Sequence, residues 1–135
     1  MYQLNFENLV SYDAGKVGIS VEVEIRFNDT SVTFDAKIDT GATACIFERR
    51  YGEELGLKIE KGSPQTFSTA TDSFRAYGHL VTMVAAGFEF SSTIFFAADE
   101  NFRRNVLGRN GWLDRVIIGI NDYDGRLHLS RYESE

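Results

Sequence analysis

A chain of 135 residues holds one domain with a genuine core and is too short for two ordinary ones. With 43% hydrophobic and 25% charged residues it belongs with globular rather than disordered sequences. Its 20 acidic and 14 basic residues leave a formal charge of −6, which repels phosphates and argues against a nucleic-acid partner.

The basic residues are scattered, and the densest pairs, Arg49-Arg50 and Arg103-Arg104, are too short to track a phosphate backbone. Cys45 is the one cysteine, which leaves no internal disulfide and no cysteine-rich metal site. The opening Met1-Tyr2-Gln3-Leu4-Asn5-Phe6-Glu7 lacks the basic-then-apolar order of a secretory signal. No apolar run approaches the roughly 20 residues needed to span a bilayer. The expectation is a soluble, cytoplasmic protein without a membrane partner.

Ile19, Val21, Val23, Ile25 and Phe27 alternate with Ser20, Glu22, Glu24 and Arg26, the period of a strand with one buried face. After the turn residues Asn28-Asp29, the alternation resumes at Val32, Phe34, Ala36 and Ile38, which predicts a hairpin. Phe47, Tyr51 and Leu55 recur every four residues and predict a helix over 47–55, stopped by Gly56 and weakened by Gly52. Gly62-Ser63-Pro64 reads as a turn. Strand-like stretches follow at Gln65–Thr71 and Phe74–Val84, around Thr71-Asp72-Ser73. Ala86-Gly87 turns the chain into Phe88, Phe90, Ile94 and Phe96. Val116–Ile120 and Arg126–Tyr132 read as a last pair of strands around Asn121–Gly125. The pattern predicts one mainly β domain over 1–135, with one or two short helices and no repeat or linker.

The chemistry concentrates in Ile38-Asp39-Thr40-Gly41-Ala42-Thr43. An acid, a hydroxyl residue and a glycine directly after a buried strand put a carboxylate in a tight loop at the strand end. Gly41 lets the backbone turn and another chain approach, and the Thr40 hydroxyl can bond to nearby backbone. Ala42 and Thr43 keep the loop floor small, with room for something extended above. Alone this tripeptide is a weak signal. A second segment, Val106-Leu107-Gly108-Arg109-Asn110, follows near the end of the chain, leading into a short amphipathic turn through Asp114.

Together these segments resemble the retroviral-type (retropepsin-like) aspartic proteases, which carry apolar-Asp-Thr-Gly-Ala early and apolar-apolar-Gly-Arg-(Asn or Asp) late, before a short helix. The resemblance spans about Gly18 to Ile120; residues 121–135 lie beyond it as a C-terminal hairpin extension. It implies a closed, barrel-like single lobe that is half of a two-fold symmetric dimer. Asp39, Thr40 and Gly41 would be catalytic, with Thr40 locking the two loops across the axis. Gly41, Ala42 and Thr43, with a flap tip at Ala70, Thr71 and Asp72, would hold an extended peptide. Gly108, Arg109 and Asn110 would support the loop. The family's chemistry needs no cofactor and no metal. A single Asp-Thr-Gly implies that the second aspartate comes from another copy of the chain.

Three features depart from the family pattern. The flap tip lacks glycine, Thr43 stands where an acid usually pairs the arginine so that Arg109 loses its usual partner, and the stretch after Val116 is long. His79 and His128 each stand alone and read as structural. Cys45 reads as a small buried thiol, Trp112 as packed against the core, and the Phe88–Phe96 run as core or dimer surface. Asp122-Tyr123-Asp124-Gly125 reads as a hairpin turn rather than a calcium loop. Two other readings are open at this stage: an inactive module that grips or dimerises through the same cleft, and an unrelated β-barrel carrying chance motifs.

Overall fold

The computed structural model describes residues 1–133. Ten strands are present: β1 (Asn8–Ser11), β2 (Ser20–Phe27), β3 (Thr30–Ile38), β4 (Ile46–Phe47), β5 (Ser63–Ser68), β6 (Ser73–Ala85), β7 (Phe88–Ala97), β8 (Val106–Leu107), β9 (Val116–Asn121) and β10 (Arg126–Arg131). One helix, α1 (Arg49–Glu54), and two 3-10 turns (Ile59–Lys61 and Leu113–Arg115) complete the described elements. This is the mainly β, nearly ring-closed lobe expected of a retropepsin-like fold.

The seven-stranded sheet runs β2-β3-β8-β4-β7-β6-β5, and β2 also pairs with β6. That extra pairing, from Val23 opposite Ala85 to Arg26 opposite Thr82, nearly closes the sheet on itself. Ring closure removes exposed edges that would otherwise template aggregation. The 13-residue β6 serves two roles. Its last residues join β2, while Ser73–Gly78 pair with β5 as a hairpin that leaves the ring.

The alternation in β2 buries Val21, Val23 and Ile25, and β3 contributes Phe34 and Ala36 from the same pairing. Asn28 turns this hairpin at φ 53°, a left-handed conformation that asparagine tolerates. Ala86 and Gly87 both have positive φ (53° and 87°) between β6 and β7, the geometry of a tight two-residue hairpin.

The predicted helix begins later than its spacing suggests. Phe47 ends β4, paired with Phe96 of β7, and its ring packs edge-on to Phe34 at 4.8 Å. A period of four that starts on a buried strand residue imitates a helical stripe. Tyr51 stacks on Phe34 at 4.1 Å, and Gly56 (φ 84°) stops the helix. Gly52 is required rather than merely tolerated, because a Cβ there would run into Ile59 Cδ1 at 2.6 Å and the Phe96 ring.

The predicted turn at Gly62-Ser63-Pro64 is instead the entry to β5. Pro64 is acceptable there because β5 is an edge strand and no neighbour needs its missing N–H. The short helix expected after Asn110 is only the 3-10 turn Leu113–Arg115. At the end of the chain, β9 and β10 form the expected hairpin, and β1 adds to it as a separate sheet, β1-β10-β9. The β1 strand is only four residues long and gave little sequence signal. Leu127 and Leu129 of β10 and Val116 of β9 join the main core, so the extension packs against the lobe.

Replacing Phe47 by Ala removes a fully buried ring packed against Phe34 of β3 and Phe96 of β7. The expected loss is about 3–5 kcal/mol of unfolding free energy, measured by urea denaturation, with Phe47→Leu losing clearly less.

Candidate active site

The site is built where three chain segments cross. Strand β8 is inserted between β3 and β4, parallel to β3 (Ile38 opposite Leu107) and antiparallel to β4 (Ile46 opposite Val106). The chain leaves β3 at Asp39, loops through Thr43 and returns as β4 on the far side of β8. The loop is bonded from behind: Asp39 N–H donates to Leu107 O at 3.0 Å, and Arg109 N–H to Ala42 O at 2.9 Å. Asn110 N–H donates to Thr43 O at 2.9 Å, and Ala44 bridges Asn110. Gly108 passes so close that a Cβ on it would collide with the Ala44 and Ala42 carbonyl oxygens. The second motif therefore meets the first through its backbone, and only glycine allows the approach.

Within the loop, Ala42 N–H donates to Asp39 O at 3.2 Å, and Gly41 N–H to Asp39 Oδ1 at 2.9 Å. A backbone donor on one carboxylate oxygen fixes the side chain's orientation and favours its charge. Asp39 is half-buried, while Thr40, Gly41 and Thr43 are exposed. Among the described residues the Thr40 hydroxyl makes no hydrogen bond, and the Arg109 guanidinium has neither a hydrogen bond nor an ion pair; both face solvent.

Asp39, Gly41, Ala42 and Thr43 border a cavity of about 500 Å³ whose other lining includes Gln65–Ser68 of β5, Thr69 just after it and Phe74 of β6. Its apolar lining comes from a satellite cluster separate from the main core, with Ile46 and Phe67 buried and Phe74, Phe102 and Val106 partly exposed. Ala70, Thr71 and Asp72 are not in this wall. They line a neighbouring depression with Asp99, Asn101, Phe102 and Arg104. The glycine-free tip is organised by Thr69, whose N–H donates to Asp72 O at 2.7 Å and whose hydroxyl accepts from Asp72 N–H at 3.0 Å. Side-chain bonding thus supplies a tight turn without glycine. A larger depression of about 590 Å³ lies at the two termini, between Gln3–Glu7 and Ser130–Glu133, and contains none of the motif residues.

Sequence reading gave no role to Glu48 and Asn105. Glu48 is 6% exposed at the start of α1, and the Asn105 amide clamps it. Asn105 Oδ1 accepts from Glu48 N–H at 2.9 Å, and Asn105 Nδ2 donates to Glu48 Oε2 at 2.6 Å. Arg50 at 3.2 Å and Arg103 at 3.7 Å pair the other carboxylate oxygen. The clamp fixes the chain entering β8 to the chain leaving β4. No local pattern announces such a pair, since its members lie 57 residues apart.

His79 lies against the Ile59 carbonyl at 2.9 Å, His128 packs on Phe6, and Trp112 is fully buried. No group of three or more His, Cys, Asp or Glu among the described residues is placed to hold a metal ion. No described helix is long and apolar enough to cross a membrane.

A carboxylate on a braced loop at the floor of a cleft, facing a β-hairpin across a partly apolar cavity, defines the single lobe of an acid protease. The family model described as aspartyl protease matches residues 21–120, so the chain belongs to that retropepsin-like aspartyl protease family. An unrelated barrel with chance motifs is thereby set aside. No curated protein matches the chain.

Two outcomes test this description. Gly108→Ala is expected to cost about 1–3 kcal/mol in urea denaturation, because backbone must move to admit the methyl group. Cys45 is buried, and desolvation pushes its thiol from near 9 up to about 12. The folded protein thus keeps a proton that the unfolded chain releases, so this contribution to stability is full below pH 9 and is lost as pH climbs toward 12. At pH 8 a maleimide reagent is expected to leave native protein unlabelled and to label it fully in urea, as read by mass spectrometry.

Proposed function

We propose that the protein is an aspartic endopeptidase acting as a C2 homodimer, with Asp39 of each subunit meeting at the axis. The observation that carries this reading is the exposed Asp39–Thr43 loop. It is rigidly bonded from behind, with one Asp39 oxygen held by Gly41 N–H and the Thr40 hydroxyl unengaged within its own chain. A braced loop with outward-facing polar groups suits a partner carrying the same groups.

Two carboxyl groups about 3 Å apart cannot both ionise, so the pair holds one proton and titrates as a unit. The ionised member takes a proton from a bound water, whose oxygen adds to the peptide carbonyl carbon. The protonated member donates to the developing oxyanion, giving a neutral tetrahedral diol. One carboxyl then protonates the amide nitrogen while a diol proton returns to the pair, and the carbon–nitrogen bond breaks. Substrate lies extended between the Asp39 loop and β5, with backbone bonds giving affinity and the aromatic cluster receiving apolar side chains. Thr40 ties the two loops together, Gly41 contacts substrate backbone, Ala42 and Thr43 form the floor, and Ala70, Thr71 and Asp72 close over it. Gly108, Arg109 and Asn110 hold the loop in place.

A non-hydrolytic peptide-binding module is the second reading, favoured by the solvent-facing Arg109 beside Thr43. Cleavage of a mixed peptide library by wild type and by Asp39→Asn separates the two. Wild type is expected to cleave with a bell-shaped pH profile, and Asp39→Asn to lose at least about 1,000-fold of kcat while unfolding normally in urea. Equal cleavage by both proteins refutes the catalytic assignment. Sedimentation over a range of concentrations is expected to show activity rising with the dimer fraction; a strictly monomeric active enzyme refutes the symmetry.

A further inference from the structure

We propose that Arg104, backed by Lys37 and Arg103, makes the groove select peptides that carry an acidic residue next to a large apolar one beside the cleaved bond. This rests on the endopeptidase reading above and deepens it by naming the substrate class.

Arg104 sits where three depressions meet. It borders the cavity of Asp39 and Phe74, the depression beneath the hairpin tip, and a third of about 410 Å³ shared with Lys37, Asp39 and Arg103. Any peptide side chain lying beside Asp39 in these depressions passes Arg104. In the 410 Å³ depression three cations, Lys37, Arg103 and Arg104, face two anions, Asp35 and Asp39, a balance opposite in sign to that of the net-acidic chain.

The anions facing this patch are Asp35 and Asp39 on the Lys37 side and Asp72 and Asp99 on the hairpin side. Among the described residues neither Arg104 nor Lys37 lies within ion-pair distance of any of them, whereas Arg103 is already shared with Glu48 at 3.7 Å. Arg104 is thus the cation beside the Asp39 cavity left open to a ligand. A guanidinium presents a planar fork that takes a carboxylate with two parallel hydrogen bonds.

The apolar half of the preference comes from the neighbouring rings. Phe102 packs on Phe74 at 4.7 Å, and Phe74 on Phe67 at 5.6 Å, giving an aromatic wall that is partly exposed at Phe74 and Phe102. Low-dielectric rings beside a charge strengthen an ion pair formed there. In a two-fold dimer one Arg104 stands on each side of the paired aspartates, so acidic residues are favoured on either side of the cleaved bond.

The test uses fluorogenic peptides that share an aromatic residue at the centre and differ only by Glu, Gln or Lys at each neighbouring position. Wild type is expected to prefer Glu over Gln by about 10- to 100-fold in kcat/KM. Arg104→Ala should abolish that ratio, Arg104→Glu reverse it in favour of Lys, and Arg104→Lys restore part of it, each read as a ratio between peptides on the same variant. Equal losses on all three peptides in Arg104→Ala mean that Arg104 latches the hairpin instead, and overturn the proposal. The same peptides are also measured by fluorescence anisotropy against Asp39→Asn, with and without Arg104→Glu. Glu-peptide binding that Arg104→Glu removes supports the selection even where wild type cleaves nothing, an outcome that sinks only the peptidase reading. No Glu preference in either assay overturns the inference.

Discussion

The backbone contact between two distant segments, Asp39–Ala44 and Leu107–Asn110, is the constraint on which the rest of this protein depends. Six of its polar groups are satisfied across the crossing: the N–H groups of Asp39, Arg109 and Asn110, and the carbonyls of Leu107, Ala42 and Thr43. A loop that carries an acid at a strand end is ordinarily free to move. Here the inserted β8 removes that freedom, because sliding it would leave several partly buried peptide groups without partners, at roughly 1–3 kcal/mol each. A rigid carboxylate is what general acid–base chemistry requires, since small misplacements of a reacting group cost large factors in rate.

Around that crossing the architecture separates stability from recognition. The main core holds Val23, Ile25, Phe47, Met83, Ile94 and Trp112, all with essentially no exposure, and it is sealed by the β2–β6 pairing. Phe67, Phe74 and Phe102 belong to a smaller cluster between hairpin and loop, in which Phe67 is buried and Phe74 and Phe102 are partly exposed. The β5–β6 hairpin departs from the ring where Ser73, Phe74 and Arg75 of β6 pair with β5 and no longer with β7. One long strand thus joins the hairpin directly to the ring. The Thr69–Asp72 bonds stiffen the tip, which places any hinge toward the base of the hairpin rather than in its turn.

β1 covers the outer edge of β10, and Tyr12 donates to Asp122 at 2.5 Å across the end of the extra hairpin. That bond and the neighbouring carboxylate push the tyrosine hydroxyl up to about 12, so it stays a donor throughout ordinary pH. The strand spends the chain's beginning on protecting its end. β9 keeps one edge unpaired among the described residues.

The long strands and the two motifs were legible in the residues themselves. Val21, Val23 and Ile25 announce β2 because a pleated strand shows every second residue to the core, and that period survives in sequence whatever packs on it. The carboxylate was legible for a similar reason, since Asp39-Thr40-Gly41 is contiguous and its companion motif is nearly so. Tertiary structure alone decided the rest. Phe47 took a strand instead of the helix its spacing suggested, because burial against Phe34 and Phe96 outweighed a weak local preference. Two-residue strands such as β4 and β8 have no period to read. The Glu48–Asn105 clamp and the meeting of Arg104 with Asp39 and Phe74 join residues far apart in the chain. Only the closing of the ring brings such groups together, and no local pattern records it.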